Sequence, residues 1–338
     1  LRRAAEFDQS TALWRSTDFV SRPTKEVVDF IIGLAISRED EQPTLDALLH
    51  EWRVAVHQRP EKFSPITGQL GQAPATFVAA LLEGLSAAAA NKIEFPWEGA
   101  IALIGERVLP HDDHVKESEA HPGRIAMFRA SVELLKSGLL PHVAAFDHGD
   151  VTTIRRLVLQ LLERIPQEPD AAADEHRLQR DPFVTAKETC RGATIELAIW
   201  WVQWVSARGQ SAHEISSAQT ETPPFDDIKC ALSLEIADLG HDGEVARAIV
   251  GRYLPTLYHY APDWTREHLP RIFCAPSAEL REAAWASYLL HAWPSVGLYP
   301  MMAALYEAEV SDIDSSKRED SGYRVKRLGE HLLLLYLY

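Results

Sequence analysis

Three stretches of this chain superpose on one another. Residues 150–162, 241–254 and 276–289 each begin with a capping sequence, place an arginine within two residues of an aliphatic one, and continue as an apolar stripe. Ile154, Val245 and Leu280 coincide, at offsets of 91 residues (154 to 245) and 35 residues (245 to 280). The shorter offset falls among helical-repeat lengths and the longer is about twice a period in the forties. A repeated helix pair cannot bury its apolar face alone, so copies stack, and each contacts its neighbours. That narrows the expected fold to an all-α array of paired helices.

Helical spacing governs the remaining chain as well. Val27, Val28, Ile31 and Leu34 recur every three or four positions, as do Leu45, Leu48, Leu49, Trp52 and Val56. Pro23, Pro43, Pro74, Pro96 and Pro122 stand where helices should start, since a first-turn proline forfeits no intrahelical bond. Asp150 reads as an N-cap. Residues 183–208 form one long helix or two broken near Arg191–Gly192, and the Trp200–Trp204 packet marks the middle of a layer. Loops are expected near 61–73, 166–181 and 209–224, where Pro, Gly, Ser and polar residues gather. No alternating strand pattern appears. The predicted division is an N-terminal helical-repeat segment, 1–165, and a C-terminal one, 182–338, joined by 166–181 as one continuous array.

Composition removes several classes of function. With 46% hydrophobic and 25% charged residues the chain is a folding one. A net charge of -15 opposes wrapping of nucleic acid, which needs concentrated Lys and Arg. Arg324, Lys326 and Arg327 form the nearest basic patch and are expected on a solvated helix face. Cys190, Cys230 and Cys274 are odd in number and far apart; they are expected to be small buried hydrophobes in a reducing, cytoplasmic setting. The longest apolar run, 193–205, is shorter than the roughly 20 residues a spanning helix needs. The absence of an initial Met and the apolar final residues suggest a piece of a longer polypeptide.

Candidate chemistry is sparse. His111, Asp112, Asp113 and His114, with His121 nearby, offer imidazole and carboxylate ligands for a divalent metal, although a polar loop after Pro110 explains them better. His148 lies among Asp147 and Asp150. Trp200, Trp201, Trp204, Trp264, Trp285 and Trp293, with Tyr258 and Tyr260, have the rings to stack a sugar or base, but cleavage would require two poised carboxylates, for which Glu196 and Asp263 are nearest in sequence. There is no phosphate-binding glycine loop, nucleophile elbow or His-Glu-x-x-His.

Residues 242–290 carry a recognisable cadence: Gly-Glu-Val-Ala-Arg-Ala-Ile-Val-Gly-Arg-Tyr-Leu, Asp263-Trp264, His268-Leu-Pro-Arg-Ile-Phe, then Glu282-Ala-Ala-Trp-Ala-Ser-Tyr-Leu. This resembles the HEAT-like helical-repeat region of large bacterial multidomain proteins, some of which join such arrays to NTPase or effector domains and are implicated in antiphage defence. Phe95-Pro-Trp-Glu-Gly-Ala-Ile-Ala-Leu-Ile resembles another helix of that region. The resemblance implies an α-solenoid of HEAT-like antiparallel helix pairs and carries over no catalytic residue. The expected function is a non-catalytic scaffold or sensor segment. Its expected partner is protein, including other domains of its parent chain, with no cofactor. The alternative is an all-α metal-dependent hydrolase built on His111–His114, and a nucleic-acid binder comes third.

Overall fold

A computed structural model describes residues 14–34, 42–109, 122–141, 143, 145–146, 150–168, 181–215, 225–315 and 321–337. Every regular element among them is helical. The chain divides into two compact units, Leu1–Pro169 and Asp170–Tyr338.

The first unit contains α1 (Ser16–Ser21), α2 (Thr24–Leu34), α3 (Gln42–Gln58), α4 (Pro60–Phe63), α5 (Ala75–Ala90), α6 (Glu98–Leu103), α7 (Pro122–Gly138) and α8 (Val151–Glu163). A 3-10 segment (Ser64–Leu70) follows α4, and α6 widens into a π turn (Ile104–Val108). Helices α1, α3, α5 and α7 pack in succession as one layer, while α2, the 3-10 segment and α6 line up as a second. Leu48, Trp52, Ala55 and Val56 give α3 its buried stripe, and the Trp52 indole donates to the Phe77 carbonyl at 3.1 Å. Trp14, Phe19, Phe30 and Phe63 complete an aromatic cluster around Trp52. Gly84 sets the α3–α5 spacing: a Cβ there would lie 2.7 Å from the Val56 Cβ and 2.9 Å from the Arg53 carbonyl.

Residues 61–73 are not the loop that their Pro and Gly content suggests. Pro60 opens α4, and the helical turns after it bury Phe63, Ile66 and Leu70. Spacing of three and four among these apolar residues outweighs the turn formers between them. The Ser64 hydroxyl donates to the Pro96 carbonyl and ties the segment to the start of α6. Asp150 is the N-cap residue of α8, through its backbone: its carbonyl accepts from the Ile154 N–H at 2.9 Å, and its side chain makes no capping bond.

The second unit contains α9 (Pro182–Lys187), α10 (Cys190–Ile215), α11 (Asp226–Ala237), α12 (His241–Arg252), α13 (Leu254–Tyr260), α14 (Pro262–Phe273), α15 (Ala278–His291), α16 (Tyr299–Ser315) and α17 (Ser321–Leu337). Three consecutive pairs are evident: α11 with α12, α14 with α15 and α16 with α17. Their first helices pack α11 on α14 on α16, and their second helices pack α12 on α15 on α17. The superposable residues occupy one role, since Ile154, Val245 and Leu280 are all buried near the start of their helices. Between α12 and α15 the backbones touch at Gly251, where a Cβ would sit 2.6 Å from the Ala284 carbonyl.

Arginine braces the first two pairs. Arg247, 2% exposed, reaches back to the Ile236 carbonyl at 2.7 Å and the Asp238 carbonyl at 2.8 Å, and sideways to the Arg271 carbonyl at 3.2 Å. It therefore satisfies carbonyls at the ends of both α11 and α14, which a helix leaves without intrahelical partners. Arg281 does the equivalent in the next pair, donating to Ala275 and Pro276. Asp238 completes the α11–α12 turn by accepting from the Gly240 and Gly243 N–H groups.

Several local expectations change. The break near Arg191–Gly192 falls earlier, at Glu188–Thr189. The Thr189 hydroxyl donates to the Ala186 carbonyl and accepts from the Gly192 N–H, starting α10. Gly192 is needed for the close approach this turn creates, because a Cβ would lie 2.0 Å from the Ala186 carbonyl. Helix α10 continues to Ile215, through part of the expected 209–224 loop, and 216–224 lie outside the described residues. Cys190 is buried, but Cys230 and Cys274 are exposed. Ile228, Leu232 and Ile236 define the inner face of α11, and Cys230 sits two residues from that register. Arg324 is not solvated: it is 20% exposed and ion-paired with Glu282 and Glu309.

Candidate functional site

Helix α10 is apolar nearly all round, yet it carries Glu196 in its centre, 2% exposed beside Ile195, Leu197 and Ile199. A buried carboxylate needs donors. The Tyr253 hydroxyl, arriving at the end of α12, donates to Oε1 of Glu196 at 2.6 Å. Trp200 Nε1, one turn after Glu196, donates to the same Tyr253 oxygen at 3.1 Å. Burial pushes the Tyr253 phenol well above its ordinary value, and the Glu196 carboxylate adds to this. The phenol is therefore a fixed proton donor at all physiological pH values.

Phe183 in α9 links this triad to an Asp–His pair. Its ring lies 6.4 Å from Tyr253 and 4.8 Å from the His291 imidazole. His291 Nε2 is 2.5 Å from Oδ2 of Asp181, whose Oδ1 accepts from the Phe183 N–H at 2.9 Å. Asp181 caps α9 with one oxygen and holds the last turn of α15 with the other. The cluster joins α9, α10, α12 and α15. Chemically it offers hydrogen bonds that are already satisfied within the chain. It was missed in the sequence because the residues it joins between helices lie 53 to 110 positions apart; only Glu196, a charge inside an apolar run, signalled it.

The two carboxylates singled out for sugar chemistry are not a pair. Glu196 is in the core, whereas the Asp263 side chain is 93% exposed and ion-paired with Arg266. The tryptophans are mostly packing: Trp201, Trp204, Trp264 and Trp285 are buried. Trp264 stacks on His268 and donates to the Ser233 hydroxyl and the Lys229 carbonyl, which accounts for both its ring and its N–H. Trp293, 70% exposed, is the exception. His111, Asp112, Asp113, His114, His121 and His148 lie outside the described residues. Among the described residues, no group of three or more His, Cys, Asp or Glu is arranged to hold a metal ion.

The first unit offers a surface feature of another kind. An open groove of about 480 Å³ runs between α5 and α7, floored by Ala87, Ala90, Ala126 and Ala130. Glu83 and Glu133 stand at its edges, paired with Arg53 at 2.5 Å and Lys136 at 3.1 Å. The Ser86 and Ser137 hydroxyls bond across it at 2.8 Å. Small side chains on facing helices leave room for an inserted side chain, and Arg129 joins the paired carboxylates at the rim. The run Ser86-Ala-Ala-Ala-Ala was its only trace in the sequence.

No protein-family model, curated protein or solved structure matches the chain. The class these observations define is all-α, and no described helix is long and apolar enough to cross a membrane.

Proposed function

We propose that the chain is a non-catalytic helical-repeat scaffold, a HEAT-like α-solenoid segment that holds protein partners, among them other domains of a longer parent chain in a cytoplasmic setting. The observation that carries this reading is the repeated pairing in the second unit. Three successive helix pairs lie in two layers, and two of them are braced by an arginine that reaches into the turn before its own helix. The first unit follows a related two-layer plan. Arrays of this kind leave one layer of helices open for recognition, and an open, alanine-floored groove between α5 and α7 supports that use. The satisfied hydrogen bonds of the Glu196 cluster fit a frame better than a reaction centre.

The test is retention of a protein partner. The purified chain serves as bait in lysate of its source cells, and each retained protein is then purified and titrated by calorimetry. The expected result is a complex of defined stoichiometry that Ala87→Arg weakens at least tenfold while leaving the circular dichroism unchanged. Absence of any partner that binds on titration would overturn the scaffold reading. Tight binding unaffected by Ala87→Arg would remove the groove from it.

A further inference from the structure

We propose that the outer face of α17 seats a second copy of this chain, the two α17 helices packing antiparallel about Gly329. Leu328 and His331 form the buried side of α17. The adjoining side carries Val325, Gly329, Leu332, Leu333 and Tyr336, spaced by four, three, one and three, which is a single helical stripe with Leu332 half-buried at its edge. Val325 is 45% exposed, Leu333 58% and Tyr336 86%, and Leu337 beside them is 64% exposed. Contiguous exposed apolar surface of this kind marks an interaction site.

Glycine tells what kind of neighbour fits. Inside the same layer, Gly251 lets the Ala284 backbone approach α12, and in the first unit Gly84 does this for α3 against α5. Gly329 stands midway along the outward stripe of α17, and a Cβ there would meet nothing within 4 Å. It therefore presents the close-approach surface that elsewhere in the molecule receives a helix.

The charges select the occupant. Lys326 and Arg327 precede Gly329 and Glu330 follows it, with Arg327 and Glu330 already 2.9 Å apart within one copy. An antiparallel two-fold pairing about Gly329 brings Lys326 of each copy toward Glu330 of the other, and Val325 opposite Leu333. A two-fold interface must be self-complementary in this way. A parallel pairing would set Lys326 against its own equivalent. Because each copy carries a net charge of -15, the molecules repel at long range, and salt should tighten the dimer by screening that repulsion.

Sedimentation velocity of the full chain across micromolar concentrations, at low and at moderate salt, tests this directly. The expected result is a concentration-dependent dimer, tighter at moderate salt. Leu333→Asp and Gly329→Leu should each weaken it by about tenfold or more, with unchanged circular dichroism because both side chains enter open space. Orientation is read in a Cys230→Ser, Cys274→Ser background by mixing Val325→Cys with Leu333→Cys chains. An antiparallel pair yields the mixed disulfide in preference to either self-pair. A chain that stays monomeric, whether or not it then captures some other helix, overturns the proposal. So does a dimer indifferent to both substitutions, or a preference for self-pairs. These readouts concern self-association alone, so their failure leaves the scaffold reading to its own test.

Discussion

Where α3 meets α5, the contact consists of Trp52, Val56 and a glycine; where α12 meets α11 and α14, it consists of a buried guanidinium spread over four backbone carbonyls, three of them outside its own helix. The first unit fills the space between α3 and α5 with large rings set against small residues, so that contact is apolar and depends on shape. The second places Arg247, Glu196 and His331 in its interior and satisfies them there, Glu196 through the half-buried Tyr253. Apolar packing tolerates changes of charge state in solvent but not changes of volume. Buried polar contacts respond in the opposite manner, because each loss leaves a partner stranded.

The largest expected effect is therefore a volume change in the first unit. Trp52→Ala empties the centre of the aromatic cluster and removes the indole bond to the Phe77 carbonyl, which should cost about 3–5 kcal/mol. Hydrogen exchange should accelerate in α1, α3 and α5. A loss of less than about 1 kcal/mol would show that the cluster collapses around the gap, and the contrast between the units would fail on its first side.

Arg247→Met is the counterpart in the second unit, with an expected cost of about 3 kcal/mol. The methionine fills much of the space, so the loss measures the stranded carbonyls of Ile236, Asp238 and Arg271. Arg247→Lys should recover little, because one ammonium cannot reproduce the spread of the guanidinium fork. Faster exchange is expected at the ends of α11 and α14. Full recovery by lysine would mean that a single carbonyl carries the brace.

Acid should separate the units further. His331 is 4% exposed, and Nδ1 shares a 3.2 Å hydrogen bond with the Tyr306 hydroxyl. Burial first, then the Arg327 charge, lowers its pKa from 6.5 to about 4, while the carbonyls of Leu289 and Ala292 and the Glu330 carboxylate oppose the shift. Between those values the unfolded chain holds a proton that the folded chain refuses. Stability from this residue is complete above about pH 6.5 and is lost as pH falls toward 4, about 3 kcal/mol in all. His331→Gln should flatten that slope for α15–α17. An unchanged slope would show that other groups govern the acid response.

How much of this was legible depended on whether the signal was periodic. The apolar stripes of α3, α12 and α15 repeat every three or four residues, and the helices formed where they stand. The Ile154, Val245 and Leu280 register identified buried positions for the same reason. What escaped were contacts between residues remote in sequence. Asp181 with His291, Glu196 with Tyr253 and Arg247 with Arg271 have no local pattern, because their meeting is fixed by how helices stack. The 61–73 segment misled because turn formers and a helical apolar spacing coexist there, and burial decided in favour of the spacing.

The smallest effect expected is also the one that separates frame from site. Tyr253→Phe keeps the ring against Phe183 but removes the hydroxyl, leaving Glu196 without that donor and Trp200 Nε1 without its acceptor. If the cluster only joins α9, α10, α12 and α15, the cost should be about 1–2 kcal/mol, and a captured partner should bind as before. Much of that loss should vanish in the Glu196→Gln background, since an amide in place of the carboxylate weakens the bond that Tyr253 makes. A double-mutant cycle in denaturant measures this coupling, and calorimetry with the captured partner measures the rest. Independence of the two substitutions would break the assignment of Tyr253 and Glu196 to one network. Unchanged stability with lost partner binding would move the cluster out of the frame and into the recognition surface, and the second unit would then be more than a support.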